Sequence, residues 1–317
     1  MTTVPRLSIG LPVYNGENFL AEALDALLGQ TFSDFELIIS DNASTDGTEA
    51  ICRRYAAMDT RIRYIRQPRN IGARPNHNFL VEHARGELFK WASHDDLYGR
   101  ELLAACVTAL DEHPEAVLSH ADQAIINEKN QILTRCEYTL DSGSAYPPDR
   151  LRSMLLTEGG DDEYGVIRTS VLRATRPNDS YHNSSRPFIA ELALRGPFYH
   201  VPELLYFRRD HPNRGDRNPT IRALCANLDP RRARHSTARL VTEYVWGFVG
   251  SISRAPLATS DRWRCYGHLA HWLARGCVRR VARRSLAPVM GLEDHSEPTE
   301  TAAVVAAIVE GRERSAS

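Results

Sequence analysis

Lysine is nearly absent from this 317-residue chain: Lys90 and Lys129 are the only two among 39 basic side chains, and arginine supplies the others. A GC-rich coding bias accounts for that scarcity without a functional cause. Cysteine is sparse and scattered. Cys52, Cys106, Cys136, Cys225, Cys265 and Cys277 form no CxxC pair and no dense framework, which excludes a disulfide-stapled scaffold and suits free thiols in a reducing compartment. Long apolar runs are lacking too. The stretch from Val245 to Gly250 falls far short of the about 20 apolar residues that span a bilayer. No charged segment leading into a long apolar run follows Met1, so the expected location is the cytoplasm. There is also no excess of one charge sign. With 39 basic against 40 acidic side chains, binding to nucleic acid by bulk charge is excluded. What is present, 42% hydrophobic and 25% charged residues, excludes a disordered or collagen-like chain and provides for a large core.

Short β-rich runs alternate with helical periodicity through the first half. Leu7 to Val13 reads as a buried strand, and Asn18 to Gln30 as a helix with Leu20, Ala23, Leu24 and Leu27 on one face. Strands at 35–40, 62–66 and 88–92 alternate with helices at 48–58, 76–83 and 100–113, followed by an apolar run at 116–121 and a hairpin around Asn127 to Asn130. This alternation predicts an α/β fold with a doubly wound, mostly parallel sheet, whose ligands sit at the carboxyl ends of the strands. Further on, Arg231 to Arg284 holds twelve arginines against two acids, Glu243 and Asp261, with helical periodicity. The expected division is a ligand-binding domain over 1–220 and a basic helical region over 221–317 with an acidic, frayed end.

Four polar clusters fall at the strand ends. In Pro12-Val13-Tyr14-Asn15-Gly16, proline ends a strand and an aromatic follows, placed to lie against a flat ring. In Ser40 to Thr48 the turn chemistry caps the next helix, but Asp41 comes directly off the strand, where a carboxylate accepts a hydrogen bond from a base N–H. Around Asn70 to Asn78, Arg74 and His77 stand at a helix start as candidate phosphate or base contacts. In Ser93-His94-Asp95-Asp96, adjacent carboxylates beside a histidine suit a hard divalent cation shared with phosphate oxygens. By contrast, Cys265, His268, His271 and Cys277 match no usual zinc spacing and read as structural.

The clusters in their order resemble the inverting glycosyltransferases of family 2, which have a GT-A fold. The resemblance runs over roughly residues 6 to 215. It rests on Pro12-x-Tyr14-Asn15, then Gln30-Thr31-Phe32-x-x-Phe35-Glu36, then Asp41-Asn42-x-Ser44-x-Asp46-Gly47-Thr48, then Asn70-x-Gly72 with Asn78, then Ala84-Arg85-Gly86-Glu87 leading into Ser93-His94-Asp95-Asp96. It implies that Pro12, Tyr14 and Asp41 hold a nucleotide base, helped by Glu17 and Asn42. It also implies that Asp95 is the last carboxylate of an Asp-x-Asp motif, holding Mn²⁺ or Mg²⁺ against the diphosphate of a sugar donor, most simply a UDP- or dTDP-sugar. Asn15, Arg74, His77, Asn78, His94, Asp96 and Arg208 complete the expected donor site, with His211 in the metal shell and Arg209 as a second basic residue toward the diphosphate.

Two positions depart from the pattern. Ser93 replaces the first Asp of the metal motif. Counting back from Gly196 places Ser185 where the family has the Asp that deprotonates the acceptor, and a serine is no general base at neutral pH without its own activator. Three readings follow: a nearby acid takes the role, from Asp179, Glu191 or the Asp161-Asp162-Glu163 cluster; the acceptor, such as a thiol or amine, needs no strong base; or the chain is a catalytically silent nucleotide-sugar binder or scaffold. The acceptor is a glycan, a lipid-linked group, a peptide or a natural product. The arginine-rich helices face solvent or another copy of the chain, with docking on an anionic membrane surface as the minority reading.

Overall fold

The computed structural model describes residues 4–157, 162–181, 183–212 and 220–286. Nine strands form one sheet: β1 (Leu7–Val13), β2 (Phe35–Asp41), β3 (Ile62–Arg66), β4 (Leu88–Trp91), β5 (Leu97–Tyr98), β6 (Leu118–Ile126), β7 (Ile132–Cys136), β8 (Val166–Arg168) and β9 (Phe198–Arg209). Their order is β3-β2-β1-β4-β8-β6-β9-β5, with β7 paired to β6. β1 to β4 are mutually parallel, β8 is antiparallel to both β4 and β6, and β9 is parallel to β6. Thus β1, β2, β3, β4, β6 and β9 all run one way. The fold is the expected α/β type, β7 returns antiparallel to β6 through the expected hairpin, and the reversed strands β5 and β8 are what the sequence pattern did not predict. Two or three residues long, β5 and β8 are too short to show periodicity.

Helices cover both faces of the sheet. α1 (Leu20–Leu28), α2 (Thr48–Met58) and α4 (Leu102–Glu112) enclose one apolar cluster with Leu7, Ile9, Leu37 and Phe207. On the other face α3 (Ala73–His83), α5 (Pro147–Leu156), α6 (Thr169–Ala174) and α7 (Ser185–Arg195) cover Phe89, Trp91 and Ile167. α3 starts three residues before its apolar pattern, because Pro75 falls in the first turn, where the missing N–H costs nothing. Motif residues remote from any ligand fasten the strands. Glu36, on β2, accepts from Ser8 Oγ at 2.7 Å, the Arg85 backbone N–H at 2.9 Å and Arg85 Nε at 3.0 Å. Burial alone would raise the pKa of this carboxyl, but the bonds from Arg85 and Ser8 prevail and hold it low. Gly86 lies so close to β1 that a Cβ there would stand 2.6 Å from the Ser8 nitrogen.

Beyond β9 come α8 (Ile221–Leu228), a 3₁₀ turn (Pro230–Arg234), α9 (Thr237–Arg254) and α10 (Thr259–Leu286). They are not suspended from the sheet. Phe248, Ile252, Ala255, Cys265 and Leu269 share the apolar cluster of Phe89, Trp91 and Phe188. Nor is the arginine run a bare cationic stripe. Arg231 pairs with Asp229, Arg232 with Asp179 and Glu243, Arg239 with Glu243, and Arg254 with Glu191. Cys265 is fully buried, as a structural cysteine would be. Among the described residues no helix is long and apolar enough to cross a membrane. Because Phe248 is 1% exposed in the shared core, Phe248→Ala will destabilise the whole protein by about 3–5 kcal/mol in urea unfolding; a loss under about 1 kcal/mol would show that α9 is not docked.

Candidate functional site

Two loops at the carboxyl ends of β1 and β2 are fastened to each other by their own polar groups. The Asn15 backbone N–H donates to Ser44 Oγ at 3.0 Å and that of Thr45 to Asn15 Oδ1 at 2.9 Å. The Gly16 N–H donates to Thr48 Oγ1 at 2.8 Å, and the Gly47 N–H to Glu17 Oε2 at 2.7 Å. Asn15 and Ala43 take left-handed φ of 51° and 62° to make these turns. The result is a firm ledge beyond Pro12, on which Tyr14 stands 44% exposed, a large aromatic open to a flat ring.

Asp41 lies beneath this ledge, fully buried. Its Oδ1 accepts from the Ser44 N–H at 2.8 Å; its Oδ2 accepts from Tyr64 Oη at 2.7 Å and Arg66 Nη1 at 2.8 Å, both brought alongside by β3. Asn42 bridges onward, accepting from the Ile71 N–H and donating to Asn70 Oδ1. Asp41 and Asn42, at 0% and 3% exposure, brace the two loops from beneath and do not present the open edge expected of base contacts.

After β4 the chain turns through Ser93 to Asp96. Asp95 accepts from Ser93 Oγ on Oδ1 and lies 2.9 Å from His211 Nε2 through Oδ2. His94 packs over Gly16, where a Cβ would meet its ring at 2.5 Å, joining this turn to the first ledge. Asp96 does not face a donor as expected: 1% exposed, it accepts the Tyr206 hydroxyl and, at 2.9 Å, the Arg209 backbone N–H. Arg209 likewise points inward. It is fully buried, donates through Nε to the Asp95 carbonyl at 2.7 Å and through Nη2 to Glu22 at 2.8 Å, and lies over the Phe19 ring at 4.5 Å. Burial lowers its pKa, opposed by Glu22, Asp96 and Asp95. By strand alternation Arg208 is on the opposite face, half-buried.

The third cluster departs most from expectation. Arg74 is 11% exposed and turned toward Glu163 and Ser185, and Asn78 donates to the Asn178 carbonyl at 2.9 Å. His77 lies against Trp91 with ring centroids 6.1 Å apart, and burial together with the neighbouring Arg74 drives its pKa from 6.5 to about 3. It is neutral at physiological pH and offers a phosphate no charge. These three residues secure the loop behind β4 and do not meet the ledge of Tyr14.

Of the candidate bases, Glu191 is corrected. It is 1% exposed, with one oxygen bound to Arg195 at 3.1 Å and the other to Arg254 at 2.5 Å, so it anchors α9. Asp179 is held by Arg232 at 2.5 Å and Arg176 at 3.3 Å. Asp161 lies outside the described residues. Glu163, named in the sequence only as part of an acidic cluster, is the carboxylate that meets Ser185, at 3.1 Å.

Residues 8–147 match the family described as Glycosyl transferase family 2. A putative glycosyltransferase, EpsE, of Bacillus subtilis is 35% identical over 114 residues, 36% of this chain and 41% of that protein. A GalNAc(5)-diNAcBac-PP-undecaprenol beta-1,3-glucosyltransferase of Campylobacter jejuni is 25% identical over 71% of this chain and 73% of its own. Among solved structures, S. aureus TarS 1–349 in complex with UDP-GlcNAc superposes with a TM-score of 0.63 at 18% identity, covering 90% of this chain and 76% of that one, which shows a GT-A-like fold. The alignments span only 14% to 41% of the length of the first curated relatives the chain matches.

The buried neutral His77 sets a pH dependence. Its folded pKa lies below the unfolded value, so as pH falls from about 6.5 toward 3 the unfolded state binds the proton first and stability is lost. His77→Gln will flatten the fall in unfolding free energy across that window; an unchanged slope would show that His77 is not held neutral.

Proposed function

We propose that this protein is a glycosyltransferase that moves a sugar from a nucleoside diphosphate sugar, a UDP-sugar before a dTDP-sugar, onto an acceptor hydroxyl with inversion at the anomeric carbon. The observation that carries the reading is the meeting of three strand-end loops: the Tyr14 ledge, the Asp41–Asn42 wall and the Asp95–His211 pair, stapled to one another through Asn15, Ser44 and His94. The family match over residues 8–147 and the UDP-GlcNAc carried by the TarS structure support it. Tyr14 and Pro12 take the base ring, Asp41 and Asn42 brace the loops beneath it, and Asn15 and Glu17 hold the ledge in shape. Arg208 adds positive charge near the diphosphate.

The residues present fit a divalent cation. Among the described residues no group of three or more His, Cys, Asp or Glu gathers, so a cage made wholly of protein is not offered. Mg²⁺ and Mn²⁺, however, are commonly held by one or two side chains together with phosphate and water. Asp95 Oδ2 and His211 Nε2, 2.9 Å apart, are a carboxylate and an imidazole side by side, a donor pair that would suit such a cation. When bound, the cation would offset charge on the departing diphosphate. Asp95 and His211 would hold it, and Arg209 holds the Asp95 turn.

The Campylobacter relative is named for a polyprenyl-diphosphate-linked glycan acceptor, and a lipid-linked glycan is the acceptor class we favour here. The protein would then work at the inner membrane face. Calorimetry with UDP will show binding that strengthens when Mn²⁺ is added, and Asp95→Ala will remove the Mn²⁺-dependent part, at least about tenfold in affinity. No UDP binding with or without Mn²⁺ would overturn the donor site.

A further inference from the structure

We propose that Glu163 is the base that deprotonates the acceptor, an assignment that rests on the glycosyltransferase reading above. Ser185 stands at the start of α7, where the family pattern calls for a carboxylate, and its hydroxyl donates to Glu163 Oε1 at 3.1 Å. Arg74 Nη2 donates in turn to Ser185 Oγ at 2.5 Å. A carboxylate therefore occupies nearly the same point in space, delivered by the 3₁₀ turn at Asp162–Tyr164 instead of by α7. The acid has moved in sequence and stayed in place.

Its position is fixed by the sheet. β8 pairs antiparallel with β4 in the register Lys90↔Val166, so the chain just before β8 runs back alongside the residues just after β4. The 3₁₀ turn of Glu163 directly precedes β8 and so lies beside β4, from whose end the turn that carries Asp95 departs. Lys90 Nζ donates to the Tyr164 carbonyl and ties the two segments together. The side chain is held but not consumed. Asn178 Nδ2 at 3.1 Å and Arg74 Nη1 at 3.4 Å approach Oε2, while Oε1 has Ser185 as its one hydrogen-bond partner among the described residues. A carboxylate oxygen accepts two bonds, so Oε1 retains a lone pair for an acceptor hydroxyl. At 14% exposure Glu163 is sheltered yet reachable, whereas Glu191 at 1% has an arginine on each oxygen.

In the step itself, Glu163 Oε1 takes the proton of the acceptor hydroxyl as that oxygen's electron pair forms the bond to the anomeric carbon. The bond from that carbon to the diphosphate breaks on the opposite side, and its electron pair leaves on the nucleoside diphosphate. Ser185 and Asn178 orient the carboxylate, and Arg74 holds Ser185.

The test measures UDP release from UDP-glucose and UDP-GlcNAc, with water as acceptor, alongside calorimetric UDP affinity and melting temperature on the same samples. Glu163→Gln will lower kcat by about 10²–10⁴-fold with UDP affinity and melting temperature unchanged. Adding Ser185→Asp to Glu163→Gln will recover at least about tenfold of that loss, since it returns a carboxylate to the same point. Glu163→Gln turnover within twofold of the parent, no recovery in the double variant, or no turnover by a parent chain that binds UDP would each overturn the assignment. Absence of UDP binding by the parent would instead overturn the donor site on which the proposal rests.

Discussion

The buried guanidinium of Arg209 is the interaction on which the arrangement of the site depends. An arginine with no exposed surface is tolerable only when its donors are satisfied, and here they reach the Asp95 carbonyl, Glu22 and Asn130. Those partners lie on the turn after β4, on α1 and on the β6–β7 hairpin. One side chain thus locks the end of β9 to three separate elements, and the backbone of the same residue donates to Asp96. Two residues on, His211 arrives opposite Asp95 because β9 has been held there. Removing the charge would leave Glu22 and the Asp95 turn without their common tie.

The same logic explains why the ordered motifs were legible while their roles were only partly so. Runs such as Leu7–Val13, Thr48–Met58 and Ile62–Arg66 were readable to the residue, since a buried parallel strand or an amphipathic helix writes its period into the chain. Glu36, Arg85 and Gly86 were recognisable as a pattern, yet they bind strand to strand rather than ligand. Charged residues beside the site gave no hint of direction: Asp96 and Arg209 turn inward where Asp95 and His211 meet at the strand ends. That difference is set by the register of β9 against β5 and β6, a long-range pairing no local period encodes. Arg74, His77 and Asn78 misled for a like reason. Their helix start faces the loop of Glu163 and Asn178, which lies about a hundred residues further along.

The C-terminal helices change meaning in the same way. As a sequence, twelve arginines suggested a separate cationic surface; folded, Arg232 and Arg254 reach back to Asp179 and Glu191 on the loop and helix that frame Ser185. Of the acids that sequence put forward as bases, Glu191 thereby anchors α9 and Asp179 the 3₁₀ turn before it. The ion pairs are part-buried and sit above an apolar contact through Phe248 and Ile252, so burial supplies most of the docking energy and the charges set its register.

The central claim, that the end of β9 delivers an imidazole to the same cation as Asp95, is tested most directly by pulsed electron paramagnetic resonance of Mn²⁺ bound to the protein with UDP. The account predicts nitrogen-14 modulation from a directly coordinated imidazole, lost in His211→Ala and retained in His94→Ala. Bound Mn²⁺ without such modulation, or modulation that survives His211→Ala, would contradict it.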